Sequence, residues 1–243
     1  EESVEKIIFV DNGGCQWAAS LNEPKVSYIK SPRNCGFGAG HNLAIKASSD
    51  FDGYFLICNP DISFDKQSLD KLVSFAWINE YNFVSPQIIY KNGERQYSCR
   101  LLPTPSNLFL RRFLPTTAIK YDATYELKDA EYDKVFSPPS VSGCFMLLTN
   151  VLLQKLNGFD ERYFMYLEDV DLCRRALQLT KIYYCPETTI VHVFNKGSYK
   201  SKLLLWYHIR SAITYFNKWG WFFDKKRYAY NESALRNIPR KLS

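Results

Sequence analysis

The sequence predicts an α/β fold built on a mostly parallel sheet flanked by helices. Three observations carry this. Short, almost wholly apolar runs, such as Ile7-Ile8-Phe9-Val10 and Tyr54-Phe55-Leu56-Ile57-Cys58, suit strands buried on both faces. Helical stripes lie between such runs, one through Leu43, Ala44, Ile45 and Ala47 and another through Leu69, Leu72, Val73, Ala76 and Trp77. The runs end in polar turns, Asp11-Asn12-Gly13-Gly14 and Asn59-Pro60-Asp61, at the end of the sheet where α/β folds bind ligands.

Length and charge set the bounds. At 243 residues the chain suits one domain with an appendage. No run of 18 apolar residues occurs, so no membrane-spanning helix is expected. The start is acidic and polar, so no signal peptide is expected either. Seven scattered cysteines without a Cys-x-x-Cys pair read as reduced thiols of a cytosolic protein. The net charge of +6 is uneven: from Lys196 onward there are 11 Lys/Arg against 2 Asp/Glu, leaving 20 against 23 before it. The chain therefore divides into a body, 1–195, and a basic, aromatic, helical tail, 196–243.

Val26 to Ile29 is a second strand, and a glycine-rich segment, Arg33 to Asn42, leads from it into a helix. Glycines there let a phosphate approach backbone N–H groups. The segment is not a dinucleotide fingerprint, because Gly36-x-Gly38 is followed by His41 where a third glycine belongs. Asp11 is either a ligand contact at a strand end or an Asx-turn residue. Asn59-Pro60-Asp61 is either a turn or the oxygen-rich site that a hard cation prefers. Phe83 to Tyr90 and Gln96 to Arg100 read as a hairpin around Lys91-Asn92-Gly93-Glu94. From Leu101 to Ser140 periodicity dissolves among prolines, which suits a lid or acceptor loop or plain disorder.

Val141 to Leu148 is a strand, and a short helix follows and stops at Asn157-Gly158. Glu168, Asp169 and Asp171 then fall within four positions, where an aromatic run gives way to a helical pattern. Acids in a first turn suit the helix dipole, which is the plain reading of Asp171. Carboxylates pressed against Phe164-Met165-Tyr166-Leu167 are also partly desolvated and so tuned for proton transfer. His192 stands in an apolar strand and reads by itself as a satisfied core residue. In the tail, Leu205, Ile209, Ala212, Ile213 and Phe216 form a helical stripe, accompanied by Trp206, Trp219, Trp221, Phe222, Phe223 and Lys225-Lys226-Arg227. That mixture suits an interfacial membrane contact, or packing on the body or on a twin subunit in a homodimer. No recognition motif accompanies the charge, so nucleic acid is not an expected partner.

Ser142-Gly143-Cys144-Phe145-Met146-Leu147, Gly158-Phe159-Asp160-Glu161 and Phe164-Met165-Tyr166-Leu167-Glu168-Asp169-Val170-Asp171-Leu172 resemble the family 2 glycosyltransferases, in the rhamnosyltransferase-like branch of bacterial O-antigen and polysaccharide synthesis. Asn34-x-Gly36-Phe37-Gly38-x-Gly40-x-Asn42 fits the same family, and the likeness runs from about Lys6 to Lys218. The resemblance implies a GT-A type fold and inverting transfer of a sugar from a nucleotide-sugar donor, with dTDP-rhamnose expected and a UDP-sugar the alternative. It implies Asp169 as general base with Glu168 orienting it or the acceptor. It implies Mg²⁺ or Mn²⁺ on Asp61, Asn59 and His192. Donor contacts are carried over to Asp11, Arg33, Asn34, Gly36, Asn42, Asn59 and Gly143. The acceptor would be a saccharide, lipid-linked, at the inner face of the membrane. The family also opens with a strand and helix ahead of the strand ending in Asp11, which this sequence lacks, so a trimmed product or a substitute segment is expected. The competing function is a non-catalytic carbohydrate- or nucleotide-binding scaffold of the same fold.

Overall fold

The computed structural model describes residues 3–108, 122–193 and 201–241. Strands β1 (Ile7–Asp11) and β2 (Val26–Lys30) pair in parallel as a separate two-stranded ladder, with the short helix α1 (Gln16–Ala19) between them in sequence. Among the described residues no strand precedes β1. Helix α2 (Phe37–Ala47) lies against β1. The central sheet takes β3 (Tyr54–Cys58), β4 (Ile62–Phe64), β5 (Phe83–Ile89), β8 (Phe145–Thr149) and β9 (Tyr183–His192), in the order β3-β8-β5-β9-β4. Helix α3 (Ser68–Ile78) packs on β9 and β5, and β6 (Cys99–Arg100) pairs with β7 (Ser140–Val141).

The sheet is mixed, which corrects the expectation of a mostly parallel one. β5 and β9 are parallel, but β8 runs against both β3 and β5, and β4 runs against β9. A parallel neighbour needs a crossover of a dozen or more residues, usually a helix. β4 follows β3 after only the turn at residues 59–61, so it returns in the opposite sense. The hairpin turn is present: Gly93 has φ +83°, and Tyr90 N–H donates to the Glu94 carbonyl.

The principal core joins Ile57, Phe83, Met146 and Leu148 of the sheet to Leu152, Leu153 and Leu156 of α4 (Asn150–Leu156) and to Leu172 and Ala176 of α5 (Glu168–Ala176). Thr149 caps α4, and Asn157, left-handed at φ 54°, ends it as the Asn157-Gly158 pair suggests. Described residues of the stretch without periodicity join the core: Leu101, Tyr125, Leu127, Ala130, Tyr132 and Phe136 are buried in the same cluster. Arg111 and Arg112 of that stretch, and the basic Lys196-Gly197-Ser198 segment, lie outside the described residues.

The tail forms α6 (Lys202–Trp219) and α7 (Lys225–Asn237), and neither stands apart from the body. Ala234 and Ile238 join the principal core, while Tyr215 and Phe216 bury against Tyr163, Leu167 and Val170. The break at 195/196 is thus a change of charge within shared cores. Ion pairs reinforce the joint. Asp171, wholly buried, accepts from Arg175 Nε at 2.8 Å and Trp219 Nε1 at 2.7 Å and pairs with Lys218 at 2.7 Å, so it anchors helices as well as facing a helix dipole. Arg174, 2 % exposed, pairs with Asp224 at 2.6 Å beneath the Trp219 ring, 4.4 Å away. Removing one partner of a buried pair strands the other, which costs about 3–5 kcal/mol. Asp224→Ala should therefore lower the stability read by urea unfolding by about that much. Arg174→Met introduced beside Asp224→Ala should recover most of the loss.

Candidate active site

Two backbone junctions bring the acidic residues together. The first is the turn between β3 and β4, where Asn59 N–H donates to the Cys144 carbonyl at 2.9 Å. Pairing of Ile62 with His192 then sets Asp61 beside the end of β9, and Val193 N–H donates to the Asp61 carbonyl. His192 Nε2 lies 3.4 Å from Asp61 Oδ1. The His192 ring is fixed from its other side: Gln96 Nε2 donates to the His192 carbonyl at 2.8 Å, which turns Gln96 Oε1 toward Nδ1 at 3.0 Å. In that arrangement Nδ1 carries the proton, and Nε2 presents a lone pair to a carboxylate oxygen. Burial lowers the His192 pKa and the Asp61 charge opposes this, so the neutral ring is favoured. Asp61 Oδ1 and Asn59 Oδ1 are both buried atoms without a hydrogen-bond partner. The Asp61 oxygen beside His192 Nε2, with the unpartnered Asn59 Oδ1 two residues before it, offers the oxygen-rich donors that a hard divalent cation prefers. Among the described residues no three His, Cys, Asp or Glu side chains gather as a closed metal cage.

The second junction is the start of α5. Tyr166 and Leu167, at φ 70° and 64°, turn the chain into the helix. Asp169 follows, half-buried and open to one side. Its Oδ2 accepts from Gly143 N–H at 3.0 Å and its Oδ1 from Val170 N–H at 2.8 Å. These amides orient Asp169, and of the two roles expected for Glu168 this leaves orienting the acceptor. Glu168 is 5 % exposed, and its Oε2 has no hydrogen-bond partner. Burial, and then the Asp169 charge beside it, push its pKa well above the usual carboxylate range. Gly143 leaves no room for a side chain, because a Cβ there would stand 2.9 Å from Asp169 Cβ. The junctions adjoin: the Cys144 thiol, next to Gly143, is pushed up to about 12 by burial first and then by the charges of Asp169 and Asp61.

Of the residues carried over as donor contacts, Asn59 and Gly143 lie at these junctions, while Asp11, Asn34, Gly36 and Asn42 lie apart from them, engaged by neighbouring groups. Asp11, 4 % exposed, accepts from Gly13 N–H and Gly14 N–H on Oδ1, and from Cys15 N–H and the Tyr28 hydroxyl on Oδ2. Both oxygens are saturated, so Asp11 organises its loop as an Asx turn. The Tyr28 hydrogen bond and the loop amides hold its pKa at about 2, and Tyr28 rises to about 12. Asn34 Oδ1 accepts from Gly36 N–H at 3.0 Å. Gly36 has φ +91°, and a Cβ on it would overlap the Phe164 carbonyl. Phe37 N–H donates to that carbonyl at 2.9 Å. At Gly36 the glycine segment admits the backbone of Phe164. Asn42 is stapled across α2 to Phe159 N–H, the Phe159 carbonyl and Glu161. Arg33 lies exposed on the loop after β2. Asn59, Asp61, Gly143, Glu168, Asp169 and His192 thus form one site, while Asp11, Asn34 and Gly36 form a neighbouring loop cluster with Asn12, whose Nδ2 donates to the Gly36 carbonyl. Gln96 and Asn12 were missed from the sequence. A polar residue just after a hairpin turn, or inside an Asn-Gly-Gly loop, carries no local signal of its partner.

The chain belongs to glycosyl transferase family 2, whose profile matches residues 2–126. It is 29 % identical over 191 residues to rhamnosyltransferase WbbL of Escherichia coli strain K12, covering 74 % of this chain and 69 % of that protein. It is 27 % identical over 209 residues to the N-acetylglucosaminyl-diphospho-decaprenol L-rhamnosyltransferase of Mycobacterium tuberculosis strain H37Rv, covering 76 % of this chain and 66 % of that one. Haloferax volcanii Agl10, a low-salt glycan biosynthesis hexosyltransferase, is 25 % identical over 181 residues, covering 71 % of this chain and 53 % of Agl10. Among solved structures, GalNAc-T7 with UDP, GalNAc and Mn²⁺ superposes with a TM-score of 0.58 at 11 % identity, over 80 % of this chain and 38 % of the other. The likeness establishes the fold, and the GT-A type α/β architecture expected above is borne out.

Gly143→Ala should cut turnover by about 10²-fold by displacing the Asp169 carboxylate, a shift of the order that misplacement by 1 Å causes; circular dichroism should show an unchanged fold. Asp11 titrates at about 2 when folded, against an ordinary 3.8. A depressed pKa adds stability above the ordinary value and loses it as pH falls through the folded one. The Tm difference between the wild type and Asp11→Asn should accordingly hold steady above about pH 4 and close toward about pH 2.

Proposed function

We propose that the chain is an inverting, divalent-metal-dependent rhamnosyltransferase, moving L-rhamnose from dTDP-rhamnose to a hydroxyl of a lipid-linked saccharide at the inner face of the membrane. The reading rests on one arrangement: Asp169, half-open and hung on the Gly143 amide, adjoins the Asp61, Asn59 and His192 set across Cys144. The names of the relatives support the sugar, and the decaprenol in the mycobacterial name supports a lipid-linked acceptor. A UDP-sugar is the competing donor, since GalNAc-T7 was solved with UDP.

In this reaction Asp169 takes the proton from the acceptor hydroxyl as its oxygen bonds to the anomeric carbon. The bond from that carbon to the β-phosphate oxygen breaks, its electron pair leaves with the nucleoside diphosphate, and attack from the opposite face inverts the centre. A divalent ion held by Asp61, Asn59 and His192 would act as a Lewis acid toward the departing diphosphate. The Gly143 amide keeps Asp169 aimed while its charge changes. Glu168 adds a second acid whose shifted titration limits local negative charge. Arg33, exposed on the loop after β2, is proposed to meet the diphosphate.

Asp169→Asn should lower transfer by about 10²–10⁴-fold, the span of general-base contributions. Calorimetry with dTDP and Mg²⁺ should give unchanged donor affinity. Retained turnover would remove Asp169 from the base role, and dTDP binding by the wild type without transfer to any acceptor would favour a non-catalytic scaffold.

A further inference from the structure

We propose that the outer face of α6 and the turn after it form a docking surface for a bilayer rich in anionic lipid. α6 is two-faced. Inward, Tyr207 stacks on Phe164 at 4.3 Å, Ser211 Oγ donates to the Met165 carbonyl at 2.8 Å, and Tyr215 and Phe216 are buried. Outward, Leu203, Trp206, Ile209 and Ile213 recur at intervals of three and four, which places them on one stripe. They are 59 %, 52 %, 44 % and 45 % exposed.

The stripe continues past the helix. Gly220, at φ +103°, turns the chain, and Trp221 Nε1 donates to Asn217 Oδ1 at 2.8 Å, which keeps that ring beside the end of the stripe. Phe222 and Phe223 follow, 77 % and 99 % exposed. A contiguous apolar surface of this kind marks an interaction site.

Charge selects the partner. α6 contains no acidic residue, and Lys202, Arg210, Lys225 and Lys226 stand exposed around the stripe and turn. The Arg210 guanidinium sits over the Trp206 ring at 5.5 Å, so cation and aromatic share one edge. A flat, apolar helix face with indole rings along it and a one-signed basic rim fits a headgroup layer of negative phosphates better than a mixed-charge protein surface. Among the described residues no helix is long and apolar enough to cross a membrane, so docking lies in the interface plane.

This surface deepens the reading of a lipid-linked acceptor and rests on it for its purpose. The helix that docks also holds Phe164 to Leu167, the lead into Asp169. A bound molecule would thus keep its catalytic turn near the plane where such an acceptor lies.

The test is sedimentation of the full chain with vesicles that contain no acceptor lipid, so that binding is read without transfer. Binding to vesicles mixing phosphatidylglycerol with phosphatidylcholine should exceed binding to pure phosphatidylcholine by at least about tenfold. Trp206→Ser with Ile213→Ser should weaken it by about tenfold or more, and Phe222→Ser with Phe223→Ser on the turn should do the same independently. Lys225→Glu with Lys226→Glu should erase the lipid preference. Unchanged dTDP calorimetry in each variant separates a lost surface from a lost fold, and absent dTDP binding in the wild type would fault the transferase reading alone. The proposal falls if the wild type pellets with neither vesicle, if the variants bind undiminished, or if they instead convert a dimer to monomers in light scattering.

Discussion

The site depends on a backbone that resists its own conformation. Tyr166 and Leu167 are consecutive, bulky and left-handed, and each such residue costs about 1–3 kcal/mol unless its surroundings over-determine it. Here they do. The Phe164 carbonyl accepts from Phe37 at the head of α2, and the Met165 carbonyl accepts from Ser211 of α6. The Tyr166 ring meets His208 edge-on, and Leu167 is sealed among Tyr163, Val170, Tyr215 and Phe216. Two elements distant in sequence, α2 and α6, thus converge on four residues, and the product of that convergence is the placement of Glu168 and Asp169 on the first turn of α5.

The C-terminal helices therefore help to build the candidate site. Asp171 and Arg174 lie on successive turns of α5, whose first turn carries Asp169, and their partners Lys218, Trp219 and Asp224 lie at the junction of α6 and α7. Each charge is buried yet compensated, which is the condition under which burial is tolerated. A helix pinned this way has little freedom to rotate, so the carboxylate at its head is held from below by ion pairs and from the side by Gly143.

The sequence was readable where chemistry is local. Apolar runs located β1, β3, β5 and β8, Asn157-Gly158 stopped α4, and the acidic motif marked the head of α5. Strand direction was not readable, because it depends on connections whose path is a tertiary matter, as β4 and β8 show. Core membership of Tyr125, Tyr132 and Phe136 was hidden because they pack from irregular backbone without a period. Within the site, the residues alone left Asp61 between a turn and a cation ligand and His192 as core; the resemblance paired them, and they lie 3.4 Å apart. Which groups were already satisfied could not be read: Asp11 and Asn42 look available on paper and prove fully engaged by neighbouring amides.

All seven cysteines are free thiols, and they are graded by depth. Cys99, Cys144 and Cys173 are pushed up to about 12 or beyond by burial, which leaves little thiolate for alkylation at neutral pH. Cys15 alone among them is exposed, and its amide is tied to Asp11. A maleimide dye would therefore attach first at the loop after β1, giving a fluorescent reporter on one rim of the molecule without touching the buried sulfurs.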